Sequence, residues 1–226
     1  MATALVTGAT AGIGESFTRL LATKGFDLVL VARDKKRLQE RANSLSKKYK
    51  VQVEILQADL SVPAQLARVE KRLSNPKKPI DVLINNAGNA HGLDPIQTGK
   101  VDDWDAMLDI NVKGLLYVSK AIIPGMTERN SGSIINIGSI AGKEVYPNGN
   151  VYCASKHAVD ALTNGMRMDL NPFGIKVMGI HPGLVETEFS LVRFKGDEKR
   201  AETVYQGYAP LVAQDIADIV EFALTR

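Results

Sequence analysis

The sequence predicts a doubly wound α/β fold of the Rossmann type, in which helices cover both faces of one parallel sheet. Short apolar runs alternate along the chain with longer amphipathic segments, as strands and crossover helices do. The intervening segments are long enough for right-handed parallel crossovers. A cluster of glycines directly after the first apolar run adds the sharp turn that such a fold needs between its first strand and first helix.

Each element is predicted from its own pattern. Six apolar runs indicate strands. In this fold class, ligands bind beyond the carboxyl ends of the strands. The strands are predicted at residues 4–7, 28–32, 51–57, 82–85, 133–137 and 176–181. Amphipathic helices are predicted at residues 15–24, 35–48, 64–73, 112–130, 151–171 and 213–224. Residues 186–212 mix aromatic, charged and glycine residues, which predicts a substrate-binding loop or lid.

The composition excludes several classes of protein. With 226 residues, 45% hydrophobic and 23% charged, the chain is typical of a globular protein, and residues 1–226 are predicted to form one domain. The net charge of +3 is too small to indicate nucleic acid or an anionic membrane surface as a partner. No apolar run suits a membrane span, and the N-terminus lacks a basic, apolar leader, which predicts the cytoplasm. The single cysteine, Cys153, excludes an intramolecular disulfide.

The turn after the first predicted strand carries three glycines with the spacing Gly-x-x-x-Gly-x-Gly. Glycine lets backbone N–H groups approach a pyrophosphate, whose charge is favoured at the positive end of the following helix. A plain strand-to-helix turn is the alternative, and it is less favoured because a strand precedes the cluster and a helix follows it. The residues predicted to bind phosphate are Gly8, Thr10, Ala11, Gly12, Ile13 and Gly14.

The segment from Thr7 to Gly14 resembles the fingerprint of the short-chain dehydrogenase/reductase family, and further motifs of that family follow in order. They are Asp59-Leu60, Asn85-Asn86-Ala87-Gly88, Ser139, Tyr152-Cys153-Ala154-Ser155-Lys156 and Pro182-Gly183-Leu184-Val185-Glu186-Thr187. The resemblance implies a bound nicotinamide dinucleotide. Its adenosine half would border Asp59, Leu60, Asn86, Ala87 and Gly88. Its nicotinamide carboxamide would meet Pro182, Gly183, Val185 and Thr187.

The second predicted strand ends in Val31-Ala32-Arg33-Asp34, where dinucleotide folds choose between a ribose hydroxyl and a 2′-phosphate. Members of the family that use NAD typically carry an acid at the position of Ala32, and Asp34 comes too late for that role. The guanidinium of Arg33 can bind a phosphate through two charge-assisted hydrogen bonds. The sequence therefore predicts NADP, with Arg33 and Asp34 at the adenosine ribose. The alternative is that Arg33 only extends a basic helix face.

Tyr152 and Lys156 are four residues apart on a predicted helix and therefore project toward the same site. The resemblance implies that Tyr152 is the proton donor and acceptor and that Lys156 also binds the nicotinamide ribose. A nearby ammonium and the positive ring of the oxidised cofactor are expected to lower the tyrosine pKa from about 10. Ser139 is expected to polarise the substrate carbonyl, and Asn111 to hold a water that links the lysine to solvent. The alternative is that Tyr152 and Lys156 are surface residues of an ordinary helix.

The stretch 188–197 resembles the branch of the family that contains NADP-dependent 3-hydroxy acid dehydrogenases. It implies hydride transfer between NADP and serine, allo-threonine, 3-hydroxypropionate or the matching carbonyl compound. Ser139 and Tyr152 would contact the reacting oxygen, and Arg193 the substrate carboxylate. Two alternatives stay open: a reductase of hydrophobic ketones or 3-ketoacyl thioesters, and an NADP-binding regulatory protein without turnover. The resemblance also implies a homo-oligomer, a dimer or tetramer, and a chain that continues past Arg226.

The remaining residue types that bind metals or react as nucleophiles give weaker signals. His91, His157 and His181 do not have the spacing of metal ligands, so no metal is expected and each histidine is predicted to pack or face solvent. Cys153 is next to Tyr152 but on another side of the helix, which predicts inert packing.

Overall fold

The computed structural model describes residues 1–225 and contains one sheet of six parallel strands. The strands are β1 (Thr3–Thr7), β2 (Asp27–Ala32), β3 (Val53–Gln57), β4 (Val82–Asn85), β5 (Ser133–Ile137) and β6 (Lys176–Ile180). Their order is β3-β2-β1-β4-β5-β6, which confirms the predicted doubly wound fold. The order reverses between β1 and β4, so the crevice for a ligand opens beyond the carboxyl ends of these two strands.

Helices cover both faces of the sheet. They are α1 (Gly12–Thr23), α2 (Lys35–Tyr49), α3 (Pro63–Leu73), α4 (Val101–Leu108), α5 (Leu115–Arg129), α6 (Asn150–Leu170), α7 (Phe189–Arg193), α8 (Glu198–Thr203) and α9 (Ala213–Leu224). Buried side chains of α1, α2 and α9 pack on one face, and those of α3, α5 and α6 pack on the other. Because successive strand residues point to opposite faces, Val6 joins the first of these two cores and Leu5 the second.

The predicted helix at residues 112–130 is wrong in its beginning. The structure has α4 first, then a π-helix (Asp109–Gly114) that runs directly into α5. Helix α4 is only eight residues long, and Met107 is its one buried residue. Val101, Trp104 and Leu108 recur in it at helical spacing, which was a usable but short signal. A π-turn widens the helix locally and is frequently found at functional sites.

The segment between β6 and α9 leaves the sheet, and its two ends pair with each other. Val185 and Leu211 form an isolated parallel bridge, and the N–H of Glu186 donates to the carbonyl of Leu211 at 2.8 Å. The two short helices α7 and α8 lie within this excursion. Among residues 1–225, no helix is both long enough and apolar enough to cross a membrane.

A buried chain of polar side chains joins the middle of the sheet to the helices on one face. Asn85 Nδ2 donates to Ser119 Oγ and to Asn136 Oδ1, both at 2.9 Å. Asn136 Nδ2 in turn donates to Thr163 Oγ1 at 3.0 Å. These bonds tie β4 and β5 to α5 and α6. The Oδ1 of Asn85 is buried and accepts no hydrogen bond within residues 1–225.

Candidate active site

The predicted phosphate-binding turn lies between β1 and α1, and close contacts require its glycines. Gly8 and Gly12 have positive φ angles of 65° and 52°, a conformation that is unfavourable for residues other than glycine. A Cβ on Gly14 would lie 2.0 Å from the carbonyl oxygen of Gly8, and a Cβ on Gly12 would lie 3.3 Å from Thr187. Ala11 gives α1 no side-chain cap, so an anion can satisfy the first N–H groups of this helix. The turn therefore fits a pyrophosphate.

Asn86 holds the loop after β4 against the glycine turn. Its Nδ2 donates to the carbonyls of Thr7 and Gly8 at 2.9 and 3.1 Å. The hydroxyl of Thr7 accepts from the N–H groups of Asn86 and Ala87 at 3.0 and 2.9 Å. These contacts bring the predicted adenosine-binding segment next to the predicted phosphate-binding turn.

The other residues predicted to bind the cofactor follow the strand ends as expected. Asp59 comes after β3 and accepts from the N–H and the hydroxyl of Ser61 at 3.0 and 2.6 Å, while Leu60 is buried. Pro182 and Gly183 come directly after β6. Half-buried residues among those predicted to bind the cofactor include Thr10, Ala11, Ile13, Val185 and Thr187.

Arg33 is exposed at the carboxyl end of β2, where a 2′-phosphate ligand was predicted. Asp34 caps α2 instead, because its carboxylate accepts from the N–H of Arg37 at 3.0 Å. The guanidinium of Arg37 forms an ion pair with Glu188 at 3.2 Å. Of the two predicted residues, Arg33 keeps its side chain in solvent near the strand end, and Asp34 serves as a helix cap.

The predicted catalytic residues come together between β5 and α6. Tyr152 and Lys156 are both buried in α6, and Lys156 Nζ lies 6.0 Å from the centroid of the Tyr152 ring. This Nζ donates to the carbonyl of Ile137 at 3.0 Å. The Ser139 Oγ accepts from the N–H of Ala141 at 3.1 Å, and its hydroxyl also forms a hydrogen bond with Tyr152.

Burial controls the pKa of both ionisable groups. It raises the pKa of Tyr152 to about 12, against opposing effects of the Ser139 hydrogen bond and the charge of Arg193. It lowers the pKa of Lys156 to about 8. The protein's own residues therefore do not lower the tyrosine pKa as expected, because removing the phenolate from water outweighs the Ser139 hydrogen bond and the attraction of Arg193.

Asn111 lies in the π-helix and bonds to two other segments. Its Oδ1 accepts from the N–H of Asn89 at 2.8 Å, and its Nδ2 donates to the Asn89 carbonyl at 2.9 Å and to Ser155 Oγ at 3.0 Å. A Cβ on Gly88 would lie 2.9 Å from the same Oδ1. Both polar atoms of the side chain thus bond to protein groups, and the predicted water-holding role of Asn111 stays a prediction.

Arg193 reaches the catalytic tyrosine from α7. Its Cζ lies 5.4 Å from the ring centroid of Tyr152 and 5.5 Å from that of Tyr146. Its Nε donates to the carbonyl of Gly92 at 3.2 Å. The ring of Phe189, also on α7, lies 5.9 Å from that of Tyr152. Part of segment 186–212 therefore covers the predicted proton carrier.

A small pocket that is open to solvent lies beside Tyr152 and Arg193. On its wall, the Nδ1 of His91 is buried and has no hydrogen-bond partner within residues 1–225. Burial lowers the pKa of this imidazole below its usual value, so His91 is neutral at pH 7. Asp103 on the same wall is paired with Lys195 at 2.8 Å. Such polar walls suit a small, charged substrate.

Several neighbours of the site were not predicted from the sequence. Phe189 shares a face of α7 with Arg193, and this spacing was a usable signal. Tyr146 gave no such signal, because its contact with Arg193 depends on packing. His181 was predicted to have only a packing or solvent role, yet its Nδ1 lies 3.3 Å from the carbonyl of Ser139. Its Nε2 lies 3.3 Å from Asp160, so this histidine also supports the loop that carries the serine.

The other side chains singled out from the sequence have local contacts. The Nδ1 of His157 lies 2.9 Å from the carbonyl of Cys153, and Cys153 itself is fully buried. In the described part of the chain, no group of His, Cys, Asp and Glu side chains is arranged to hold a metal ion.

The fold and the site together define a class of protein. A parallel sheet with a glycine turn for a dinucleotide, joined to a half-buried serine and a buried tyrosine and lysine, is the arrangement of an oxidoreductase with tyrosine-based proton transfer. A sequence profile described as short chain dehydrogenase matches residues 2–197. The chain therefore belongs to the short-chain dehydrogenase family, as its motifs predicted.

Known proteins of this family resemble the chain over nearly its whole length. The NADP-dependent 3-hydroxy acid dehydrogenase of Schizosaccharomyces pombe is 42% identical over 99% of this chain and 87% of its own length. The NADP-dependent 3-hydroxy acid dehydrogenase YdfG of Escherichia coli K12 is 43% identical over 98% of this chain and 88% of its own length. The solved closed form of a serine dehydrogenase complexed with NADP+ has a TM-score of 0.91 and 42% identity, covering 99% of this chain and 89% of that one.

Proposed function

We propose that this protein is an NADP-dependent dehydrogenase that moves a hydride between the cofactor and a small 3-hydroxy acid such as serine, allo-threonine or 3-hydroxypropionate, or the matching carbonyl compound. The observation that carries the proposal is the guanidinium of Arg193, 5.4 Å from the ring of Tyr152. In a 3-hydroxy acid, one carbon separates the carboxylate from the carbinol carbon, so such a substrate needs its anchor close to its base. The names of the similar yeast and bacterial enzymes support the same substrate class.

Each residue of the site has its own role in the reaction. Bound NADP+ supplies the acceptor for the hydride that leaves the carbinol carbon. Tyr152 takes the hydroxyl proton in oxidation and returns it in reduction. The hydroxyl of Ser139 donates a hydrogen bond to the substrate oxygen and stabilises the negative charge that develops there. Lys156 is protonated below its pKa of about 8, and in that range its charge favours the phenolate form of Tyr152.

We expect Arg33→Ala to raise the Kd for NADPH roughly 10- to 100-fold while the Kd for NADH changes less than about threefold. The reason is that only NADPH carries the 2′-phosphate that this exposed guanidinium at the end of β2 is suited to bind. Fluorescence titration of each reduced cofactor measures both constants. Lys47→Ala removes an equal charge from the last turn of the neighbouring helix α2 and is the control. Equal weakening of both cofactors would exclude Arg33 as the selecting residue.

We expect Arg193→Gln to raise the KM for a 3-hydroxy acid roughly 10- to 100-fold, because a carboxylate loses a charge-assisted partner. The KM for an uncharged secondary alcohol should change less than about threefold when both are measured on the alkaline plateau of the pH profile. Arg200→Gln is the matched control, since Arg200 also lies on the excursion but stacks on Phe194 instead of Tyr152. If Arg193→Gln left the KM for the 3-hydroxy acid unchanged, this would contradict the role of Arg193 in binding the substrate carboxylate.

A substrate panel tests the proposed reaction directly. We expect the best short 3-hydroxy acid with NADP+ to have a kcat/KM at least about tenfold above that of any hydrophobic ketone or 3-ketoacyl thioester with NADPH. The opposite ranking would favour the reductase alternative. Binding of NADPH without hydride transfer to or from any compound would indicate an NADP-binding regulatory protein.

The assembly and location of the protein belong to the same proposal. We infer a homo-oligomer, a dimer or tetramer, and a cytoplasmic enzyme whose only other partner is its small-molecule substrate. The supporting observations are the family membership and the modest net charge of +3. Sedimentation equilibrium measures the mass of the assembly, and a monomer at micromolar concentration would contradict the oligomer.

A further inference from the structure

The short helix α7 lies over the catalytic tyrosine. Phe189 and Arg193 are four residues apart and therefore share one face of this helix. The Phe189 ring meets Tyr152 at 5.9 Å with an interplanar angle of 57°. The Cζ of Arg193 lies 5.4 Å from the centroid of the same tyrosine ring. The proton carrier thus has a cation from the lid segment against its ring.

The guanidinium of Arg193 is held in that place by several contacts. The ring of Tyr146 lies 5.5 Å from its Cζ, so the cation contacts two tyrosine rings. Its Nε donates to the Gly92 carbonyl at 3.2 Å, and the Arg193 carbonyl accepts from the Gly92 N–H at 3.1 Å. These paired bonds tie α7 to the loop after β4. A charge that is held in this way needs little reorganisation when the tyrosine changes its protonation state.

The other charged and titratable groups around Tyr152 are placed differently. Lys156 comes from the same helix, but it is buried and loses its proton near pH 8. Arginine stays protonated throughout the working range of an enzyme. The remaining groups that face this region are Ser139 after β5, Tyr146 and Cys153 near the start of α6, His91 after β4, and Asp103 on α4 with its partner Lys195. Arg193 is therefore the cation against this ring whose charge does not change with pH.

We propose that Arg193 is also a positioning residue for Tyr152, because its fixed charge against the tyrosine ring stabilises the phenolate that accepts the substrate proton. This inference rests on the proposed function, in which Tyr152 is the base. It adds that Arg193 also affects the oxidation of substrates without a carboxylate, because it acts on Tyr152. A carboxylate that binds Arg193 neutralises part of this charge, so the effect is largest before substrate binds and with uncharged alcohols.

The test is the pH profile of kcat/KM for oxidation of an uncharged secondary alcohol by NADP+. In Arg193→Gln, we expect the rising limb to move about one to two pH units toward alkaline pH, the size of effect that a cation 5.4 Å from the ring centroid has at an effective dielectric of about 20 to 40. Arg193→Lys keeps the charge and should move the limb less than half as far. Arg200→Gln removes an equal charge from α8 and should leave the limb in place. A loss of packing alone would lower the plateau without moving the limb.

A second readout needs no turnover. The Cζ NMR resonance of labelled tyrosine, assigned to Tyr152 by its loss in Tyr152→Phe, reports the phenol directly. In Arg193→Gln, it should begin to move toward the phenolate value at higher pH than in the wild-type protein. Arg193→Met keeps an unbranched chain between the two tyrosine rings and replaces Arg193→Gln if circular dichroism shows that the latter is unfolded.

The outcomes separate this inference from the proposed function. An unchanged limb and an unchanged resonance in Arg193→Gln or Arg193→Met would overturn the inference and leave the dehydrogenase activity standing. A wild-type protein that oxidises neither hydroxy acids nor alcohols would overturn the proposed function, and the NMR comparison would still decide whether Arg193 acts on Tyr152.

Discussion

Replacing Tyr152 with phenylalanine is expected to lower kcat by at least about 1000-fold, within the range that general acid–base groups contribute. Phenylalanine keeps the ring that packs against Phe189 and Arg193, and it removes only the Oη that carries the proton. The Kd for NADPH should therefore stay within about twofold of the wild-type value. Steady-state oxidation of a 3-hydroxy acid measures kcat, and fluorescence titration with NADPH measures the Kd.

The matched control is Tyr208→Phe, which removes a phenol from an exposed position. It should leave kcat within about twofold of wild type. Turnover of Tyr152→Phe above roughly a tenth of the wild-type rate, with the cofactor still bound, would exclude Tyr152 as the proton carrier. Loss of both turnover and NADPH binding would indicate a collapsed site and not a missing proton carrier.

Gly14→Ala should have the largest effect on stability, a loss of about 3 kcal/mol in the free energy of unfolding. Its Cβ would lie 2.0 Å from the Gly8 carbonyl oxygen and 2.6 Å from Asn86 Nδ2. Because the first of these atoms is backbone, either the turn or the start of α1 has to move. For a chain of this size, the loss corresponds to a fall in Tm on the order of 10 °C. Thermal unfolding followed by circular dichroism measures it, and NADPH binding should weaken in parallel.

Gly165→Ala is the control for that substitution. Gly165 lies within α6, and a Cβ there would meet no atom within 4 Å. Alanine is favoured over glycine inside a helix, so this variant should gain up to about 1 kcal/mol. If Gly14→Ala were as stable as Gly165→Ala, the close approach of β1 and α1 at the glycine turn would not be a requirement of the fold.

The elements that were predicted well depend on short stretches of sequence. The bounds of β4 and β5 agree with the predicted ones, and the order of strands and helices is correct. The region 101–114 was predicted poorly, because the apolar stripe of α4 extends over only eight residues and the π-helix is associated with contacts that are distant in sequence. Asn111 in that π-helix bonds to Asn89 and Ser155, which lie 22 and 44 residues away.

In the site, too, local features were predicted and features that depend on the folded structure were not. Gly8, Gly12 and Gly14 were predicted because the turn they form is local, and the structure shows why two of them need positive φ angles. Asp34 was predicted beside the ribose, and in the structure one of its carboxylate oxygens caps α2, so its contact with a ribose stays a prediction. An aspartate at the start of a helix can cap the helix or bind a ligand, so the sequence pattern alone does not distinguish these two roles.

By itself, the sequence determined the parallel α/β fold, the glycine turn and the pairing of Tyr152 with Lys156, because each is a pattern of residues within a few positions of one another. Only the tertiary structure decided that burial raises the pKa of Tyr152 to about 12 and that Arg193 lies against its ring. Tyr152 and Arg193 belong to separate segments, α6 and α7, that meet through packing. Desolvation and the distance between a charge and a ring exist only after that packing has formed.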